Sequence, residues 1–393
     1  MPIESEDLIM KRISILLLIA ISSILVLVGC GKKGELTESM TDESNTEEIE
    51  TTEESTESTL QETEEKRDGQ VKSKLTNEWI EEALAKQRPI AVMYPINKEA
   101  MPQYGLDQID VFYEILEEGK MSRQMAIMQD WTGLEQIGNI RSIRDYFVYA
   151  ALEWDPIIIH YGGPELYVKD ILLRADVDNI NGTGSSSMGS AYGAFFRIKR
   201  PGVAQEHTAY TSGEKILSAI DKAGFSLEHR TDVYQPDHFR FTSESDPNTL
   251  NEAKGAESAT TIDLSACYPV TKPMMRYNAN DKLYYREIYG QPQSDAITGN
   301  QLAFSNVIIQ NTRFEQRDPN GYLYFQMHDS TRDGYFFTQG KTIHITWKKP
   351  DDQGINSNYT PTRYYDDDGN EITLNTGKTM IYVIEDGDKV NYN

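Results

Sequence analysis

From Gly31 to Gln70 the chain is written almost wholly in Glu, Thr and Ser, and this stretch decides which residues can fold at all. It holds 14 acids, such as Glu47, Glu48, Glu53 and Glu54, against four bases, Lys32, Lys33, Lys66 and Arg67. Ordering a chain costs conformational entropy that buried apolar surface must offset, and a segment with hardly an aliphatic residue has none to bury. Residues 30–70 are therefore expected to form a disordered acidic tether, which leaves residues 71–393 to build the core. Forty residues of flexible chain span roughly 35 Å, and self-repulsion lengthens that.

What precedes the tether says what it is tied to. Lys11 and Arg12 lead into the apolar run ISILLLIAISSILVLV, which closes on Leu27, Val28, Gly29 and Cys30. A basic start, an apolar middle and small residues before a cut define an export signal, here residues 1–29. The last four residues look like a bacterial lipobox, in which Cys30 takes the lipid, palmitate included, and becomes the mature N-terminus. The run is short for a membrane span. Residues 1–9 put acids where a signal is basic, so translation is expected to begin at Met10. The expected location is the extracytoplasmic face of the cell membrane, held by the lipid on Cys30.

Charge narrows the choice of partner. With 62 acids against 38 Lys plus Arg, the formal charge of −24 disfavours nonspecific attraction to nucleic acid or to an anionic bilayer. Any anion must be held by a local site. Two cysteines, Cys30 and Cys267, exclude a disulfide scaffold, and six scattered histidines do not make a metal site. No metal and no cofactor is expected.

The order of patterns predicts an α+β protein. NEWIEEALAKQ (residues 77–87) has helical spacing, RPIAVMYPIN (88–97) reads as a strand, and IDVFYEILEEGKMSRQMAIMQD reads as a hairpin turning at Gly119–Lys120. Gly138–Asn139 breaks the chain, and Ser142 with Asp145 has the spacing of a helix cap continued by Ile143, Phe147 and Ala151. WDPIIIHY is a short buried strand, GPELYVKDILLRA a helix, and TSGEKILSAIDKAG a further helix, capped by Thr211 with Glu214 and ended by Gly224. Beyond about residue 230 strand runs dominate: KLYYREIYG, SNVIIQNT, GYLYFQMH, GYFFTQGKTIHITW and KTMIYVIED, broken by turns such as Pro319–Asn320–Gly321. We therefore expect a layered N-terminal domain of mixed sheet and helices over residues 71–250. A mostly antiparallel, β-rich domain should follow over residues 251–393, with one wet face.

The candidate site lies in IGNIRSIRDYF (137–147) and HYGG (160–163). A helix start presents unpaired N–H groups and a partial positive charge, and two guanidinium forks beside it suit phosphate, sulfate or carboxylate. With Ser142 as cap, Arg141 and Arg144 flank that start; Arg123, Arg197 and Arg200 are further candidates. The competing arrangement is ion pairing of Arg123, Arg141 and Arg144 with Glu114, Glu117, Glu118 and Asp145. His160 ends a strand where α/β proteins place ligands. Gly162 and Gly163 allow close backbone approach, and His207 stands just before a capped helix. The acids of the hairpin turn are expected on a solvated surface.

Several ordered stretches carry a resemblance: RPIAVM, YEILEEGKMSR, IGNIRSIRDYF, HYGG and EHTAYTS, then NVIIQ, GKTIHITW and the closing GNEITLNTGKTMIYVI. Together they resemble the YerB-like lipoproteins of Gram-positive bacteria over roughly residues 75–393. The resemblance implies an α+β N-terminal domain and a β-rich C-terminal domain, in a family whose biochemical function is unassigned. This chain has Pro164 where the family pattern has a serine, and Glu206, His207 and Thr208 where it has Pro-His-Asn.

Three readings of function follow. The first is a cell-surface binding module whose Arg141 and Arg144 hold an anionic envelope ligand or partner, with Ser142, Arg123, His160, His207, Gly162 and Gly163 around them. The second is an envelope enzyme acting on a phosphate- or pyrophosphate-bearing substrate, with His160 or Glu114 as acid–base group; its likeness is to phosphotransferases that hold a polyprenyl pyrophosphate with arginines. The third is protein docking through Tyr284, Tyr285 and Trp347 of the β-rich half.

Overall fold

A computed structural model describes residues 66–393 apart from 185–186 and 352–353. The export signal, Cys30 and most of the acidic tether lie outside the described residues. The first strand among the described residues is Gln70–Lys72.

The main sheet has eleven strands, which we label β1 (Ile90–Pro95), β2 (Val111–Leu116), β3 (Ser122–Met128), β4 (Ile157–His160), β5 (Asn179–Asn181), β6 (Glu257–Ser258), β7 (Asn306–Thr312), β8 (Asp329–Thr338), β9 (Lys341–Lys349), β10 (Arg363–Tyr365) and β11 (Thr379–Glu385). Their order is β6-β9-β8-β7-β11-β2-β3-β1-β4-β5, with β10 on β9. The expected hairpin is β2–β3, registered from Val111 opposite Ile127 to Leu116 opposite Ser122. The last long strand, β11, lies between the two halves of the sequence and runs parallel to both neighbours. Asn306 of β7 faces Thr379, and Val111 of β2 faces the same residue from the other side.

Burial follows position in this sheet. Every residue of β1, β2, β3 and β4 is buried, and β11 is buried but for its last residue, because central strands are covered on both faces. The strand Leu283–Ile288, in a second, six-stranded sheet, alternates instead and has the expected wet face. The two sheets are joined through buried polar groups. Arg286 of the second sheet pairs with Glu114 of β2, both side chains wholly buried, and Tyr268 donates to the carbonyls of Glu114 and Val383 at 2.9 and 2.8 Å.

Helices are few among the described residues: α1 (Asp145–Leu152), α2 (Glu165–Leu172) and α3 (Gly213–Ala223). None is long and apolar enough to cross a membrane. Three local expectations need correction. Residues 77–87 divide into a strand, Trp79–Glu81, and one helical turn, Glu82–Lys86, because Trp79 pairs with Lys72 across a hairpin. Helix α3 is capped by Ser212, whose Oγ accepts from the Lys215 amide at 3.3 Å, while Thr211 donates to the Ala194 carbonyl. Helix α1 begins at Asp145 with Arg144 as its N-cap, so Ser142 is not a cap.

Candidate functional site

The segment from Ile137 to Arg144 is held extended by neighbours on every side. Ile137–Gly138 pairs with Tyr210–Thr211, the Arg141 amide donates to the Met93 carbonyl at 2.9 Å, and the Ile143 amide donates to Gly162 at 2.9 Å. Gly163 is required by this approach: a Cβ there would stand 2.8 Å from Val168 Cγ1 and 2.9 Å from the Ile143 carbonyl oxygen. Gly163 thus serves packing between α2 and the arginine segment.

The predicted arginines divide into two groups. Arg123 and Arg144 turn inward around Ser142, whose Oγ accepts from Arg123 Nη1 at 2.6 Å and from Arg144 Nη1 at 3.0 Å. Glu117 receives Arg123 Nη2 at 2.5 Å and lies 3.0 Å from Arg144 Nη2; Glu118 takes the other edge of Arg144, from Nε at 2.8 Å. Glu117 is 6% exposed, so the hairpin acids are not the solvated surface that was expected. Burial lowers the pKa of Arg123 to about 10 against the pull of Glu117. Burial acts the same way on Arg144, but Glu118 and Glu117 outweigh it and raise its pKa. Two guanidinium groups and two carboxylates leave this inner cluster neutral. Asp145 belongs to a different pair, with Arg317 at 2.6 Å.

Arg141 is placed differently. Its side chain is 25% exposed and its one ion-pair partner among the described residues is Glu206, at 2.9 Å and 51% exposed. His207 lies alongside, with Nε2 3.6 Å from the same carboxylate oxygen. Arg141 Nε and His207 Nδ1 are both buried and lack a hydrogen-bond partner. Burial lowers the His207 pKa, and Arg141 adds to the effect. Of the other basic candidates, Arg200 is spent on the carbonyls of Met101, Glu99, Ala100 and His207, and Arg197 on Gln205 and Thr208.

His160 is wholly buried and does not reach this surface. Its Nδ1 donates to the Gly162 carbonyl at 2.9 Å, Nε2 sits 3.1 Å from the Asn179 side chain, and burial lowers its pKa. Glu114 is locked to Arg286 and Ser122. Both acid–base candidates are therefore committed to internal bonds. Tyr284 and Trp347 are core residues, 0% and 1% exposed, which removes two of the three aromatics proposed for docking. Sequence patterns had not pointed to a further buried cluster, Glu153 with Lys349, Thr362, Tyr113 and His238, whose members come from distant parts of the chain. Its local signal is a charged residue, Glu153, directly after the largely apolar run Tyr146–Leu152.

The chain matches two family models: the N-terminal domain of a protein of unknown function (DUF3048) over residues 75–226, and the C-terminal domain of the same family over residues 264–381. It is 28% identical over 320 residues to a Bacillus subtilis (strain 168) protein called "Putative lipoprotein YerB", covering 81% of this chain and 87% of the relative. The crystal structure of the YerB protein from Bacillus subtilis superposes with a TM-score of 0.67 at 25% identity, covering 82% of this chain and 99% of that one.

Proposed function

The chain belongs to the YerB-like (DUF3048) family of lipoproteins of unassigned function, and from that premise we propose that it is a membrane-anchored binding module for an anionic group of an envelope component or partner. Arg141 is the direct contact and His207 its neighbour. The observation behind this reading is the asymmetry among the arginines. Arg123 and Arg144 are neutralised by the buried Glu117 and the part-buried Glu118, whereas among the described residues Arg141 is opposed only by the half-exposed Glu206. A surface ion pair contributes little. A ligand phosphate or carboxylate can therefore displace Glu206 at small cost and gain a charge-assisted bond to a guanidinium already positioned by its backbone.

The test is thermal unfolding of the full chain in detergent with phosphate and pyrophosphate. A ligand that binds only the folded state stabilises it by about 2.7 kcal/mol at a hundredfold excess over Kd. The shift is expected to vanish in Arg141→Ala and to grow in Glu206→Gln, which removes the competing carboxylate. Arg123→Ala should instead destabilise with or without anion, by about 1–3 kcal/mol, because the buried Glu117 and Ser142 each lose a guanidinium donor while Arg144 remains beside them. No shift with either anion, or an equal shift in Arg141→Ala, overturns the proposal.

A further inference from the structure

The turn Gln205–His207 does more than set a histidine beside Arg141. Three guanidinium groups from two parts of the chain converge on it and on Thr208. Arg141 Nη2 meets Glu206 at 2.9 Å, Arg197 Nη1 donates to the Gln205 carbonyl at 2.5 Å and to Thr208 Oγ1 at 3.2 Å, and Arg200 Nη2 donates to the His207 carbonyl at 3.0 Å. The exposed Lys199 stands between the last two in sequence. We propose that this turn and the segment from Arg197 to Arg200 form a track for a linear polymer that carries phosphate along its length, with Arg141 as one of the contacts. The proposal rests on the reading of Arg141 as an anion contact and extends it from one charged group to a row.

The basis is positive charge left without a counter-charge. Carbonyl and hydroxyl acceptors hold Arg197 and Arg200 in place but leave each its full charge, and among the described residues no carboxylate pairs with Arg197, Lys199 or Arg200. The carboxylates that act on His207 are Glu206 and the exposed Glu99, so Arg141, Arg197, Lys199 and Arg200 outnumber the acids of the turn. Burial, with Arg141 adding to it, holds the His207 pKa below its usual value, and the ring adds no charge near pH 7. On a chain of net charge −24, this local excess is the reverse of the average surface.

The free donors lie where a ligand reaches them. Arg197 is exposed and sits 4.6 Å from the Tyr161 ring centroid; its Nη1 is spent, while Nε and Nη2 have no partner among the described residues. Lys199 lies two positions on, along backbone that continues the pairing of Phe196–Arg197, since the Ile198 amide donates to the Thr208 carbonyl at 3.0 Å. Two residues of extended chain span roughly 7 Å. A ligand that meets these bases in turn therefore needs its charges strung out along a chain. A bilayer also offers many phosphates, but as a plane it would bring the acidic remainder of the surface against like charge, whereas a single strand touches the basic patch alone.

Calorimetric titration of the full chain in nonionic detergent, with pyrophosphate and with long-chain linear polyphosphate at several salt concentrations, tests this. We expect the polymer to bind about tenfold or more tighter than pyrophosphate per mole of phosphate, and to lose affinity more steeply as salt rises. Arg197→Gln combined with Lys199→Gln should bring the polymer down to the affinity of pyrophosphate, whereas Arg141→Ala should weaken both. Lys199→Gln alone changes an exposed side chain, so its shallower salt dependence, by roughly one unit of slope, stands even if the double variant disturbs the turn. The proposal is overturned if the polymer gains nothing over pyrophosphate, if the gain survives in both variants, or if phosphatidylglycerol mixed into the micelles removes polymer binding, which would set the patch against the bilayer. Pyrophosphate that does not bind at all defeats the Arg141 reading itself; pyrophosphate held through Arg141 with no gain for the polymer defeats only this extension.

Discussion

At the scale of single residues, the same side chain types serve opposite ends according to what faces them. Arg144 and Arg141 are three positions apart, yet one faces Glu117 and Glu118 and the other faces solvent through Glu206. Spacing identified both as arginines beside a helix start, but Ser142 was misread. Its Oγ bonds two guanidinium groups, and those stronger, charged donors win over a backbone amide. Glu114 likewise reads as an acid in a hairpin and is in fact half of a buried ion pair with Arg286, 172 positions away in sequence. Arg286→Met should therefore cost about 3–5 kcal/mol by leaving a buried carboxylate unpaired. The double variant Glu114→Gln with Arg286→Met should recover much of that loss, and urea unfolding of both variants would measure it. Equal destabilisation of the two would mean that Arg286 acts through packing alone.

At the scale of elements, local pattern was most reliable where one period held over a whole strand or helix. The β2–β3 hairpin, the strand β4 and the helices α2 and α3 all stand where alternation, aliphatic runs and 3.6-residue spacing put them. Cap residues were less legible, since Thr211 and Ser212 are chemically equivalent neighbours and only the backbone turn selects between them. Nothing local revealed that β11 lies between β7 and β2, because a parallel pairing leaves no hairpin turn to read. Removing the chain after Lys378 should leave β2 and β7 each with an open edge and expose both faces of a buried strand pair. We expect such a truncation to lose its cooperative thermal transition by circular dichroism. A normal, sharp transition would show that the first half of the sheet closes without β11.

For the molecule as a whole, acid sensitivity follows from the cluster in which the two halves meet. Burial pushes the pKa of His238 down to about 3, with nearby Lys349 adding to it. Burial alone would raise Glu153, but Lys349 and His238 outweigh it and bring it down to about 2. The unfolded chain protonates such a histidine near 6.5 while the folded one refuses, so stability is complete above that value and falls as pH drops towards 3. The contribution of Glu153 is complete above its unfolded value of 4.5 and is lost as pH falls towards 2. Asp110 acts in the other direction: burial raises it to about 7, so its protonation stabilises the fold as pH falls below 7. His238→Phe removes the first effect and weakens the second, which acts only below pH 4.5. Between pH 6.5 and 4.5 the native protein should lose stability faster than this variant by up to about 1.4 kcal/mol per pH unit. Parallel melting curves across that range would show that His238 does not carry the sensitivity.

What the sequence determined by itself are the properties that depend on composition and on neighbours along the chain. These are the export signal and Cys30 as an expectation, the acidic stretch that cannot build a core, most of the individual strands and helices, and the α+β order of a mixed half before a β-rich half. Tertiary structure alone decided which charges meet. Glu117 with Arg123, Glu114 with Arg286 and Glu153 with Lys349 are joined by sheet pairing and by the packing of one sheet on the other, at separations of 6, 172 and 196 residues. A carboxylate in a hairpin turn looks the same in sequence whether water or a guanidinium faces it. Only the fold sets that environment, and with it whether a charged residue holds the core together, as Arg123 does, or stays at the surface to meet a ligand, as we propose for Arg141.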